Sequence, residues 1–482
     1  MDLVTSLHPP GVRSYPKTLL QASLLSMVVL LSACTTGPGL VTPDAGIAVP
    51  SGWSAAPAGH DADALAGWWA RLGDDTLNQL VGDALSGNTT VRAAQAAVRQ
   101  ARASLDVTRA NAGPSVNASG SAQRSKSGDN PAGNRFQAGF DASWEPDLFG
   151  GNARAVDASR ADAKAAETTL ADARVSLAAE VAVTYIELRG LQQRLAIARR
   201  NLALQQETLQ ITRWRVQAGL ASSLDLEQSV AANEQTQAQI PALQASVAQT
   251  AHALSVLTGQ APAHLQSRLE TAAAIPQAPA SLALALPADT LRQRPDVRTA
   301  GLRVEAALAR RDQADAARYP SLRLSGSIGL SALTLSGLGS GATVANTLLG
   351  GLSVPLFDGG AARARVEAQD AALEQARITY QGAVLSALRE VEDALVSLRG
   401  NRERLARLQA AAEAAANAEL LARQRYGSGL IDFRSVLDTQ RTLLSAQDSV
   451  ASVQASLSAD HVRLYKALGG GWQPDAEPGQ SR

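Results

Sequence analysis

The chain has 482 residues, with 44 Lys and Arg against 44 Asp and Glu, so no net field draws it to nucleic acid or to an anionic surface. A single cysteine excludes an intrachain disulfide and a cysteine-built metal cluster. Aromatic residues make up only 4%, which suits thin Ala-rich seams between helices better than a conventional aromatic core.

Residues 1–33 read as a secretory targeting segment. Arg13 and Lys17 precede an apolar run from Leu19 to Leu31 that is too short to span a bilayer. The run ends in Leu31-Ser32-Ala33-Cys34, which resembles a bacterial lipobox. By that resemblance Cys34 becomes the acylated first residue of the mature chain, tethered by burial of its lipid. Thr35 follows, where an Asp would suggest retention at the inner membrane. Residues 34–73, rich in Gly, Pro and Ala, read as a tether, with Trp53, Trp68 and Trp69 packing on the body.

A first structural repeat is expected over residues 74–259. A helix from about Asp74 to Ala112 is stopped by Gly113-Pro114. A weak Ser/Asn-rich strand (about Ser115 to Arg124) and a polar loop (Lys126 to Gly133) follow. A clear strand comes next: Phe136, Ala138, Phe140, Ala142 and Trp144 alternate with Gln137, Gly139, Asp141 and Ser143. Phe149-Gly150-Gly151 then opens a long helix with Val181, Leu188, Leu195, Leu202 and Leu209 seven apart. It reaches a tip at Val216-Gln217-Ala218-Gly219-Leu220 and returns through Ile240, Val247 and Leu254 to Thr258-Gly259, passing Pro241. Ser222 and Asp225 have the spacing of a capping box.

Residues 260–287, with prolines at 262, 276, 279 and 287, read as a linker, and residues 288–469 repeat the programme. A helix from about Asp289 to Arg318 is stopped by Tyr319-Pro320-Ser321. A strand places Leu322, Leu324, Gly326, Ile328 and Leu330 on one face. After a Gly/Ser loop (Ser336 to Gly341), a fourth strand places Leu348, Leu352, Val354 and Leu356 on one face. Phe357-Asp358-Gly359-Gly360 opens the second hairpin. Its apolar positions are Val384, Val391, Leu398 and Leu405, then Leu443, Val450, Leu457 and Leu464, around a tip at Tyr426-Gly427-Ser428-Gly429-Leu430. Residues 470–482 form a Gly/Pro-rich tail.

Matching landmarks (Pro114/Pro320, Phe149/Phe357, Gly219/Gly429, Gly259/Gly469) lie 206, 208, 210 and 210 residues apart, so one architecture is built twice. A seven-residue apolar period marks left-handed coiled coils. A helix from Ala362 to Tyr426 would be roughly 95 Å long at ~1.5 Å per residue. The fold class is therefore mainly α with a small β part. Four short amphipathic strands cannot close a barrel alone, and an open edge is forbidden in lipid. Alternating strands suit a transmembrane barrel to which several chains contribute, two giving eight strands and three giving twelve. The same pattern fits a small soluble sheet capping a helical body.

Enzymatic constellations are not seen. The five histidines (8, 60, 252, 264, 461) share no helical spacing, no phosphate loop with its Lys appears, and no Gly-x-Ser-x-Gly elbow is present. No cofactor is expected.

The lipobox, the duplicated helix–strand–strand–hairpin unit, Arg425-Tyr426-Gly427-Ser428-Gly429, Leu437-Asp438-Thr439-Gln440-Arg441 and the ending Tyr465-Lys466-Ala467-Leu468-Gly469 together resemble the TolC-type outer-membrane efflux proteins. The similarity is greatest to their NodT-type lipoprotein branch, and it covers essentially the whole mature chain. What it implies is a homotrimer with a shared twelve-stranded transmembrane barrel and a trimeric α-barrel tunnel reaching into the periplasm. The implied partners are a periplasmic adaptor, an inner-membrane pump of the resistance-nodulation-division type and outer-membrane lipid; nucleic acid is not among them. The duct would pass drugs or other small molecules passively. The resemblance assigns Asp438, Arg441 and Tyr426 to a periplasmic aperture. Gly219, Leu220, Gly427, Gly429 and Leu430 fall at the tip turns and adaptor-docking ends. Phe149, Gly151, Phe357, Gly359 and Gly360 fall at the barrel–tunnel junction. Ser435 stands where relatives can carry a second carboxylate. An exit duct for type I protein secretion shares the architecture, and a non-conducting periplasmic coiled-coil scaffold is the alternative of another class.

Overall fold

The computed structural model describes Trp53 and residues 67–278, 288–340 and 344–472. The targeting segment, Cys34, most of the tether, residues 279–287 and the tail beyond 472 lie outside the described residues.

The helix expected over 74–112 is two helices, α1 (Asp75–Gly87) and α2 (Thr89–Asn111). The break follows from a distant contact. Gly87 lies so close to the end of the first hairpin that a Cβ on it would sit 2.6 Å from the Thr258 carbonyl oxygen. Asn88 accepts from Thr90 N and Val91 N to cap α2, while its Nδ2 donates to the Leu257 carbonyl at 2.9 Å. The second repeat is also broken here: a 3-10 turn (Ala288–Gln293) precedes α5 (Pro295–Ala316), and Pro295 occupies the first helical turn, where its missing N–H costs nothing. Arg294 plays the part of Asn88, donating to the Ala467 carbonyl at 2.6 Å.

Strands β1 (Ser115–Ser125), β2 (Gly133–Trp144), β3 (Ser321–Ala332) and β4 (Val344–Ser353) form one antiparallel sheet in chain order. Phe140 lies opposite Ile328, and Gly326 opposite Leu348, so even-numbered residues make an apolar face and odd-numbered ones a Ser-rich face. β4 ends at Ser353, so Val354 and Leu356, expected on its face, lie beyond it. Pro355, two residues on, cannot donate to a ladder.

The two hairpins are of equal size. α3 (Gly151–Gln217) and α6 (Ala361–Gly427) each have 67 residues, about 100 Å at ~1.5 Å per residue. The returning helices α4 (Ser223–Leu257) and α7 (Phe433–Ala467) each have 35. α4 continues through Pro241, forgoing one i→i−4 bond.

The main core gathers α1, the middle of α3 and the ends of α4 and α7 around Trp68, Leu77, Tyr185, Leu188 and Leu254. Trp68–Leu72, expected within the tether, form a 3-10 turn, and Trp68 is buried in this core, stacked on Tyr465 at 5.3 Å. Trp69 packs on the same core and Trp53 on a second one around α5, α6 and the end of α7. The described part of the linker, residues 260–278, is a packed strap rather than a free connection. Leu265, Leu269 and Ile275 are buried in the main core. Gln192 and Arg189 donate to the Leu269 and Thr271 carbonyls at 2.7 Å each, and Ser458 to the Pro276 carbonyl at 2.6 Å.

Candidate functional site

The two hairpin tips are built alike and lie together. At the first, Gly219 N bonds back to Val216 O (3.0 Å) and Leu220 N to Arg215 O (2.7 Å); at the second, Gly429 N bonds to Tyr426 O and Leu430 N to Arg425 O, both 2.9 Å. This closure needs a left-handed residue, supplied by Gly219 (φ 71°) and Gly429 (φ 73°). Gly427 is the last residue of α6 and takes no part in the left-handed turn. Leu220 and Leu430 are exposed beside these glycines. Ser222 and Asp225 form the capping box their spacing indicates, with both bonds present.

Tyr426 is buried at the tip. Phe433 meets its ring edge-on at 5.7 Å, and the Arg215 guanidinium lies over it at 4.4 Å while donating to the Tyr426 carbonyl. Arg215 thereby ties the end of α3 to the end of α6. Asp438 and Arg441 are exposed on α7. They form no ion pair with each other; the hydrogen bond recorded at Asp438 is Thr442 Oγ1 donating to its backbone carbonyl at 2.8 Å. Ser435 turns back to the helix N-cap, donating from N and Oγ to Asp432 at 3.0 and 2.6 Å. The Ser435 hydroxyl and backbone hold the exposed Asp432 carboxyl below the usual carboxylate range. Asp432 is thus a second acidic group near the tip that sequence reasoning missed, although the Asp-x-x-Ser spacing at a helix start was there to be read. Arg215 was missed too, because nothing local in the chain points it at Tyr426.

At the other end, where the sheet passes into the long helices, the copies differ. Phe149 stacks on Tyr319 at 5.1 Å, whereas Phe357 is 93% exposed. Gly359 and Gly360 both have positive φ, but in the first copy only Gly150 does; Gly151 is already helical. Acidic side chains start both helices: Asp147 accepts from Ala153 N and Asp358 from Ala362 N, both at 2.7 Å. The apolar face of the sheet is uncovered, with Phe140, Ile328 and Leu352 exposed and Leu348 86% so. Exposure of this kind over a contiguous face marks a surface with a partner.

A sequence profile described as outer membrane efflux protein matches residues 80–260 and 286–470. The chain belongs to the outer membrane efflux protein family. It is 33% identical over 474 residues to the pyoverdine export outer membrane protein OpmQ of Pseudomonas aeruginosa, covering 94% of this chain and 98% of that one. It is 32% identical over 448 residues to nodulation protein T of Rhizobium leguminosarum bv. viciae, covering 92% of each. Among solved structures, the outer-membrane channel OprN superposes with a TM-score of 0.83 at 36% identity, covering 92% of this chain and 100% of that one. The outer membrane protein VceC of Vibrio cholerae superposes with a TM-score of 0.80 at 25% identity, covering 85% and 99%. The efflux-family chain is an outer-membrane channel component. Among its described residues no helix is long and apolar enough to cross a membrane.

Proposed function

We propose that this chain is the passive exit duct of a tripartite efflux system: a homotrimer that passes drugs or other small molecules from an inner-membrane pump of the resistance-nodulation-division type, through a periplasmic adaptor, to the exterior. One observation carries the reading. The four-stranded sheet leaves an apolar face uncovered and both edges unpaired, and it continues into hairpins about 100 Å long. Lipid would cover the face, and pairing with further copies would close the edges. The chain supplies no chemistry and no cofactor; the pump supplies the energy. Acylation of Cys34 adds an outer-membrane anchor.

The tips form the periplasmic end in this reading, with Gly219, Leu220, Gly427, Gly429 and Leu430 presented to the adaptor. Tyr426 is the packed base on which α7 projects Asp438 and Arg441. Because Asp438 is exposed and not neutralised by Arg441, its copies around a shared axis would make an acidic ring that favours cations. The first measurement is the mass of the detergent-extracted particle. Three chains per particle support the duct, and a detergent-independent monomer removes it. In planar bilayers, Asp438→Asn should reduce the cation preference seen in the reversal potential, and an unchanged preference would take Asp438 out of the aperture.

A further inference from the structure

α4 and α7 each pack on α3 but meet one another only sparsely, and a cleft runs between them with α3 as its floor. It lies tipward of the point where α3 crosses α7, at which a Cβ on Gly190 would sit 2.8 Å from the Cβ of Ala455. Its volume is about 650 Å³, within the ~300–1,000 Å³ of sites that take drug-sized ligands.

Two side chains distinguish this cleft from a packing gap. Gln205, on the floor, is 4% exposed, yet its Oε1 has no hydrogen-bond partner. A buried amide oxygen in that state is destabilising until a donor meets it. Arg441, on the α7 wall, is exposed and makes no hydrogen bond or ion pair. The two lie close along the axis. Asn201 Nδ2 donates to Gln447 at 3.0 Å and Gln440 Nε2 to Thr208 at 2.9 Å. That antiparallel register puts Arg441 about half a turn from Gln205. Packed helix axes lie about 8–10 Å apart, so an acceptor and a cation face one space across roughly that span.

The rest of the lining fixes the character of a ligand. Leu191, Leu243 and Leu444 supply apolar wall. Arg194 donates to both carboxylate oxygens of Asp448, at 2.7 and 3.1 Å, so those two charges satisfy each other. Among the described lining residues Arg441 is then left as unbalanced charge, and the cleft favours an anion over a cation.

We propose that this cleft binds a small hydroxylated organic anion with a flat apolar body. Its carboxylate pairs with Arg441, its hydroxyl donates to Gln205 Oε1, and its body lies between Leu243 and Leu444. Bound there, it touches α3, α4 and α7 at once and fixes the spacing of α4 and α7, which otherwise meet through α3. Arg441 thereby has a role separate from that of Asp438.

The probe is a fluorescent hydroxynaphthoate with its hydroxyl and carboxylate at opposite ends of the ring system. It is titrated into the full-length, detergent-extracted protein against an empty-micelle blank. It should bind at least tenfold tighter than the naphthoate lacking the hydroxyl, and at least tenfold tighter than the corresponding hydroxynaphthamide. Gln205→Leu should abolish the first preference and keep the second, whereas Arg441→Gln should abolish the second and keep the first, both with unchanged helical content. Binding no greater than in the blank, preferences absent from the unsubstituted protein, or preferences that survive both substitutions overturn the site. A particle of one chain overturns the duct alone, since α3, α4 and α7 of a single chain line the cleft.

Discussion

The same long helices are held by different physics along their length. Around α1 and the strap, the core is Trp68, Leu77, Leu80, Tyr185, Leu188 and Leu254. Toward the tips, the buried residues include Asn201, Gln205, Thr208, Thr212, Asn233, Thr236, Glu419 and Gln440. Apolar burial is non-directional and contributes about 25 cal/mol per Å². A buried hydrogen bond nets only about 1 kcal/mol, and only while its geometry holds. Some are made, such as Gln440 to Thr208 at 2.9 Å and Asn201 to Gln447 at 3.0 Å. Others are not: Gln205 Oε1, Asn233 Oδ1 and the Tyr426 hydroxyl are buried without a partner. The middle joins its buried polar groups to a large apolar core, whereas the tips have only the small cluster around Tyr426, Phe433 and Val436 beside theirs.

The most severe way to break this contrast is at Trp68. Trp68→Ala removes a fully buried ring and its stack on Tyr465 and should cost about 3–5 kcal/mol in denaturant melts of the detergent-solubilised protein. A loss under about 1 kcal/mol would show that the middle is not held by that core.

Arg294→Ala comes next. Arg294 bonds Asp296 twice (3.0 and 2.8 Å), Glu390 at 2.7 Å and the Ala467 carbonyl. Its removal should cost about 2–3 kcal/mol, since both carboxylates keep partial access to water. Burial pushes the Asp296 carboxyl up, but the hydrogen bonds and charge of Arg294 outweigh it and leave Asp296 below its ordinary 3.8. Its contribution is therefore present above pH 3.8 and lost as pH falls through the depressed value. Asp172 works oppositely: burial, then the Asp296 charge, raise its carboxyl, so its cost at neutral pH is relieved on acidification. In pH-dependent melts the variant should lose the acid-side decline due to Asp296, and an identical pH profile would refute the assignment.

A smaller effect sharpens the contrast from the tip side. Gln205→Leu and Asn233→Leu replace unsatisfied polar groups and should each stabilise by about 1 kcal/mol. Hydrogen exchange in the unsubstituted protein should run faster beyond Asn201 than around Tyr185, and uniform protection would erase the distinction. The most local is Arg215→Ala, which removes both a cation–π contact and the hydrogen bond to the Tyr426 carbonyl at a partly exposed site, together about 1 kcal/mol. Its readout is local: quicker proteolysis at the two tips with the global melt nearly unchanged.

Much of this was legible locally. The seven-residue spacing of Val181, Leu188 and Leu195 marked the coiled-coil seam, the alternation from Phe136 to Trp144 gave β2, and Ser222 with Asp225 announced a cap. What the sequence hid depends on residues far away in the chain. α1 and α2 part at Asn88 because Gly87 meets Thr258. The strap packs because Leu265 and Leu269 find the α1–α3 core. At the first junction Gly150, not Gly151, takes positive φ, since the helix begins two residues earlier relative to its Phe than in the second copy.

The contact of Gly190 with Ala455 has a mechanical consequence. It lies 27 residues from the end of α3 at Gln217, a lever arm of about 40 Å at ~1.5 Å per residue. With only the Ala455 methyl between the two backbones, the crossing is a fulcrum. A rotation of about 5° there would carry the tip some ~3–4 Å, on the order of a side-chain diameter. The smallest residue on the helix thus sets the gain by which a slight tilt in the packed middle becomes a displacement at the far end.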